Sequence, residues 1–174
     1  QLPTTHPIVA DIPHLEAASQ NFDGITYAKG ASVLKQLVAY VGFDTFIEAA
    51  RVYFKRFEWG NTSLNDFLQV LNEVSGRDMQ AWANAWLQTS GVSALGTKRV
   101  YGEDGQLTDL ILTQELPAQQ TAGLGRPHVA KLETFALTDG KLTSTGLLSL
   151  EYPAEPVSEH RVELTEEQKK LVGE

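Results

Sequence analysis

The hydrophobic residues of this chain change their period at Gly91, and that break decides what it can fold into. Before it, apolar side chains recur at spacings of three and four, the signature of a helix with one buried face. After it they alternate every second residue, the signature of strands with one face inward. The pattern predicts an α+β chain, with a helical bundle over residues 1–92 and an antiparallel β region over 93–174.

Four helices are expected in the first part. Residues 26–40 carry Val33, Leu34, Leu37 and Val38 on one face, continued by Val41, and Gly42 stands where a left-handed C-cap belongs. Residues 44–57 turn Phe46, Ile47, Ala50, Phe54 and Phe57 inward and stop at Trp59-Gly60-Asn61. Ser63, with Asp66 three residues on, reads as a capping box in which Asp replaces Glu. That helix carries Phe67, Leu68, Leu71 and Val74 and closes at Gly76. Asp78 caps a shorter helix with Trp82, Trp86 and Leu87.

In the second part, residues 107–116 and 129–137 alternate as strands, and Asp139-Gly140 predicts a hairpin turn into a return strand over 142–152. Glu103-Asp104-Gly105-Gln106 joins Val100-Tyr101 to the 107 strand, and residues 157–164 form a further candidate. About five strands, where a complete β-sandwich of this kind has about seven, suggest a sandwich cut short. Its open edge predicts self-association of the chain. Residues 117–127 read as a polar loop, and 165–174 as a charged segment, helical in pattern, with no evident packing partner.

A net charge of -8 argues against nucleic-acid or anionic-membrane partners, both of which need concentrated basic surface. The chain has no cysteine, so it carries neither disulfides nor thiolate metal sites, in keeping with a reducing, cytoplasmic setting. No apolar run is long enough to span a bilayer. An opening of Gln1-Leu2-Pro3 reads as a piece of a longer parent.

The candidate chemistry sits in Tyr27, Lys29 and Gly30, at the start of the first predicted helix. A Tyr there is ordinarily a packing residue, and a Lys a solvated charge. Gly30 is the odd choice, since a helical Gly costs about 1 kcal/mol relative to Ala. It makes sense where a backbone or ligand must come close. His6, His14, His128 and His160 are scattered in no metal-ligand spacing. Glu115, Glu133 and Glu151 face solvent by alternation and form no carboxylate dyad.

A longer set of features gives these residues a context. His6-Pro7-Ile8 is followed by Phe22-Asp23-Gly24-Ile25 and Tyr27-Ala28-Lys29-Gly30-Ala31-Ser32-Val33-Leu34. Val41-Gly42, Tyr53-Phe54, Gly60-Asn61-Thr62-Ser63 with Asp66-Phe67, and Ser75-Gly76-Arg77-Asp78 come next. Trp82 and Trp86-Leu87-Gln88-Thr89-Ser90-Gly91-Val92 complete the series. In this order they resemble the zinc aminopeptidases of the aminopeptidase N type, the gluzincin metallo-aminopeptidases, downstream of the zinc-binding helix.

The resemblance implies that 1–92 is the helical C-terminal portion of a thermolysin-like catalytic domain and 93–174 an incomplete β-sandwich domain. It implies a parent that hydrolyses N-terminal residues from peptide substrates. In that family a His-Glu-x-x-His helix and a distant Glu hold zinc, and the Tyr equivalent to Tyr27 donates a hydrogen bond to the oxyanion. This chain has no His-Glu pair and no Gly-x-Met-Glu-Asn type stretch. The expectation is therefore zinc in the intact parent, none in this piece, and no peptidase activity from the piece alone. A second reading takes the same helices and sheet as a non-catalytic interaction module.

Overall fold

The computed structural model describes residues 6–9, 12–21, 24–116, 125–154 and 159–173. They divide into two compact units, one ending at Gly91 and the other starting at Val92.

The first unit is helical. A short helix α1, Leu15–Asn21, precedes one turn of π-helix at Ile25–Lys29, which runs directly into α2, Gly30–Val41. α3 spans Phe43–Arg56, α4 Leu64–Ser75 and α5 Met79–Leu87. The sequence pattern anticipated α2 to α5, but not α1 and not the π-turn, which a 3.6-residue apolar period does not mark.

Local chemistry ends the helices where expected. Gly42, between α2 and α3, has φ +89°, and Gly76 closes α4 at φ +66°, values that disfavour any residue with a Cβ. At the start of α4 the Ser63 hydroxyl accepts from the Asp66 N–H while Asp66 Oδ2 accepts from the Ser63 N–H at 2.7 Å, a complete capping box. Asp78 Oδ1 accepts the Ala81 N–H at 2.9 Å and so caps α5.

The helices share a core of Val33, Leu37 and Val41 from α2, Ala49 from α3, Leu68, Val70 and Leu71 from α4, and Met79, Trp82, Ala83 and Trp86 from α5. Tyr40, Trp82 and Trp86 stack in series at centroid separations of 6.4 and 6.0 Å, and the Arg77 guanidinium lies 4.4 Å over Tyr40. Two residues assigned inward by periodicity are outward. Phe54 is 72% exposed because α3 turns Ala49, Val52 and Tyr53 to the core instead. Leu34 is 53% exposed because no described element covers its side of α2.

The second unit holds two antiparallel sheets. β1, Ala94–Tyr101, pairs with β2, Leu107–Glu115, and β2 pairs on its other edge with β5, Glu159–Val162. β3, His128–Thr138, and β4, Lys141–Tyr152, form a hairpin turning at Asp139 and Gly140, with φ of 51° and 75°. Two successive positive φ values are what a type I′ turn requires. β1 begins well before the predicted Val100, since Gly96, Lys98 and Arg99 on an exposed edge strand hide the alternation. The predicted loop at 117–127 falls largely outside the described residues.

Leu107, Leu110 and Leu112 of β2 and Leu148, Leu150 and Tyr152 of β4 bury into one core, so both sheets contribute to it. The Tyr152 hydroxyl donates across to Gly96 O at 3.2 Å. Helix α6, Glu166–Gly173, corrects the expectation of an unpacked charged tail: Val172 is 6% exposed within the same core. Gly146 of β4 lets α6 approach, since a Cβ there would lie 3.0 Å from Leu171 Cδ1. The Arg99 guanidinium then donates to Val172 O at 3.2 Å.

Gln114 is buried in β2 and clamps the entry to β3. Its Oε1 accepts the Arg126 N–H at 2.7 Å and its Nε2 donates to Arg126 O at 3.0 Å. His128, two residues on, is buried. It is 9% exposed and packs edge-on against Tyr152. Burial, with the nearby Arg126 charge, pushes its pKa from 6.5 down to about 4. The unfolded chain therefore binds more protons between those values, and stability is lost as pH falls from about 6.5 toward 4. His128→Phe keeps a ring of similar shape without the titration. In urea unfolding of the second unit at pH 7 and pH 4.5, its midpoint should fall less than the wild type's; equal losses would contradict the assignment.

Candidate functional site

Tyr27 sits in the middle of the π-turn, and its side chain is 62% exposed. The π-helix is rare, appears mostly as a single turn inside a helix, and is frequent at functional sites. Gly24, at the N-cap, has no side chain to cap the turn. The Gly30 N–H donates to Tyr27 O, and the Ser32 hydroxyl donates back to Ala28 O at 2.9 Å, tying the turn to the first residues of α2.

Lys29 supplies a longer-range tie. Its ammonium is partly buried and donates to Thr89 O at 3.0 Å, just past the C-terminal end of α5, and to His6 O at 3.4 Å. The same N-terminal segment is joined to α5 by the Val9 N–H, which donates to Leu87 O at 2.9 Å. His6 Nδ1 stands 2.7 Å from Pro7 O. Three stretches far apart in sequence, His6–Val9, the Tyr27 turn and Leu87–Thr89, thus meet at one place. Sequence reasoning took Lys29 as a solvated charge; the one available signal was its fixed place between Tyr27 and Gly30.

Beside the turn opens an apolar cleft of about 510 Å³, lined by Val9, Tyr27, Gly30, Leu34, Leu64 and Trp82 among others. Tyr27 and Leu34 stand at it as exposed residues, while Trp82 belongs to the buried core beneath. Gly30 corrects one expectation. Its φ and ψ of -57° and -48° are ordinary helical values, and an added Cβ meets nothing within 4 Å. Neither the backbone nor any described neighbour requires glycine there; its missing side chain only widens the cleft.

The other candidates do not assemble. The carboxylates of Glu115, Glu133 and Glu151 are exposed, as their alternation predicted. His14 and His160 are exposed, His6 lies at the Lys29 tie, and His128 is in the second unit's core. Among the described residues no three His, Asp or Glu side chains converge in a way that would hold a metal ion. These residues do not fit a zinc centre. No described helix is long and apolar enough to cross a membrane.

The arrangement is one exposed phenol on an anchored turn, beside an apolar cleft. The comparisons with known proteins attach to that same region. Residues 1–86 match the peptidase family M1 domain. Residues 1–86 belong to peptidase family M1. Aminopeptidase N of Streptomyces lividans is 46% identical over 160 residues, which are 89% of this chain and 19% of that protein. An alignment of that length runs past the end of the domain match and into the β unit. Aminopeptidase M1-D of Oryza sativa subsp. japonica is 35% identical over 106 residues, covering 61% of the chain and 12% of its own length. A crystal structure of Legionella pneumophila aminopeptidase A in complex with aspartic acid has a TM-score of 0.58 at 21% identity, over 82% of this chain and 15% of that one, which speaks to fold alone. The chain spans 19% or less of the length of these aminopeptidases.

Because nothing opposes a Cβ at position 30, Gly30→Ala should stabilise the isolated chain by about 0.5–1 kcal/mol, through helix propensity and a less flexible unfolded state. Urea denaturation checks this. A loss of stability would show that the glycine answers to a contact within this chain.

Proposed function

We propose that this chain is a portion of a zinc metallo-aminopeptidase that hydrolyses N-terminal amino acids from peptides. On this proposal the helical unit is the C-terminal part of a thermolysin-like catalytic domain. The β unit is an incomplete β-sandwich domain. The zinc ligands and the general base belong to the parent outside residues 1–174, whose sequence has no His-Glu pair.

Tyr27 is the residue of this chain that acts on substrate. As water adds to the scissile carbonyl, negative charge grows on its oxygen, and a hydrogen-bond donor already aimed there lowers the barrier. A phenol is suited to that task, being a neutral donor on a rigid ring. The cleft beside it is lined mainly by apolar side chains, Leu34, Leu64 and Trp82 among them. The observation that carries the reading is the position of Tyr27. It lies within the matched M1 segment, exposed, on a turn held from both ends of the helical unit.

In the full-length protein, Tyr27→Phe removes only the hydroxyl. It should lower kcat by about 10²–10³-fold. KM should stay nearly constant, as befits an interaction made only in the transition state. The isolated 174-residue chain assayed beside it should show no turnover of an aminoacyl reporter. Full activity of the Phe variant, or chelator-sensitive turnover by the isolated chain, would overturn the proposal.

A further inference from the structure

We infer that Lys29 is a positioning residue for Tyr27, holding the catalytic turn against the C-terminal end of α5; its catalytic part rests on the function proposed above. The sequence places the two residues two apart. In a helical turn such neighbours lie on opposite sides and do not face each other. The structure agrees: Tyr27 is 62% exposed and Lys29 is partly buried, pointing back into the unit. The two residues are joined through the backbone of the turn between them.

That backbone has an outside support. A π-helical turn is rare, occurs mostly as a single turn within a helix and is frequent at functional sites. At its N-terminal end stands Gly24, which has no capping side chain. Its exit at Gly30 is already committed to α2, with the Gly30 N–H on Tyr27 O. Lys29, the last residue of the turn, ties it to elements distant in sequence, through Thr89 O at 3.0 Å and His6 O at 3.4 Å. Both acceptors suit a cation. Thr89 lies just beyond α5, and the C-terminal end of a helix carries partial negative charge that attracts an ammonium. Thr89 is itself fixed, its hydroxyl donating to Ala85 O, and His6–Val9 is fixed by the Val9 to Leu87 hydrogen bond. The ammonium thus links the turn to two anchored segments.

A charge placed only for solubility would reach solvent and leave Tyr27 indifferent to its loss. A tie predicts the opposite, and substitution separates the two. Lys29→Met keeps most of the aliphatic stem and removes the donors; Lys29→Arg keeps a cation with donors. The first readout uses this chain as it stands, labelled with fluorotyrosine. The five tyrosines give five ¹⁹F signals, and Tyr27→Phe assigns the one of interest. In Lys29→Met the Tyr27 signal should shift and broaden while those of Tyr40, Tyr53, Tyr101 and Tyr152 hold, and Lys29→Arg should restore it. An unchanged Tyr27 signal in Lys29→Met overturns the inference. So does an equal disturbance of all five, which would mean general unfolding.

The second readout is kinetic, in the full-length protein. Misplacing a catalytic group by about 1 Å costs on the order of 10²-fold, so Lys29→Met should lower kcat by about that factor. KM should stay within about twofold and Lys29→Arg should recover most of the rate. If Tyr27→Phe abolishes turnover and Lys29→Met does not, the positioning role fails while the proposed function stands. If Tyr27→Phe keeps full turnover, the catalytic part of both falls, and the fluorine spectrum alone decides whether Lys29 holds the turn.

Discussion

No helix of the first unit is long enough to hold itself. α2 to α5 run 12, 14, 12 and 9 residues, at or below the length at which isolated helices become marginal in water. Their stability comes from the shared burial of Leu37, Leu71, Met79 and Trp82, each 2% exposed or less. Everything else in the unit follows from that dependence. Glycines at 42 and 76 with positive φ bend the chain tightly enough for short helices to meet, and the caps at Ser63 and Asp78 satisfy the ends that the core leaves open. The π-turn of Tyr27 inherits its place from this core, since α2 continues it and α5 receives its lysine.

The second unit meets the same need by different means. Its two sheets contribute leucines to one core, and α6 supplies Val172 to it. Gln114 satisfies the backbone of Arg126 where the chain enters β3. The outer face of the β3–β4 hairpin remains apolar and exposed, with Phe135, Leu137, Leu142 and Leu147 between 54% and 72% accessible. Large apolar patches of this sort characterise surfaces that meet another surface.

Much of this was legible in the residues. The period change at Gly91, the helix caps and the Asp139-Gly140 turn are local signals, set by dihedral preferences and hydrogen bonds within a few residues, so sequence exposes them directly. What escaped were relations between distant segments. The core role of Val172 depends on β2 and β4, and the buried state of His128 depends on its strand neighbours. The reach of Lys29 to Thr89 depends on how α2 meets α5. Leu34 and Phe54 were misassigned because periodicity marks an apolar stripe without saying which part of it a neighbour covers. At the site, Tyr27 was visible through its motif, whereas the cleft beside it was not.

The central claim is that Tyr27 meets the oxyanion in the intact protein. A crystal structure of the full-length protein with a phosphinic peptide analogue, whose phosphinyl oxygen mimics that oxyanion, tests it most directly. The account predicts the Tyr27 hydroxyl at about 2.7–3.1 Å from that oxygen. A Tyr27 ring turned away from the analogue, with another donor on the oxygen, would contradict it.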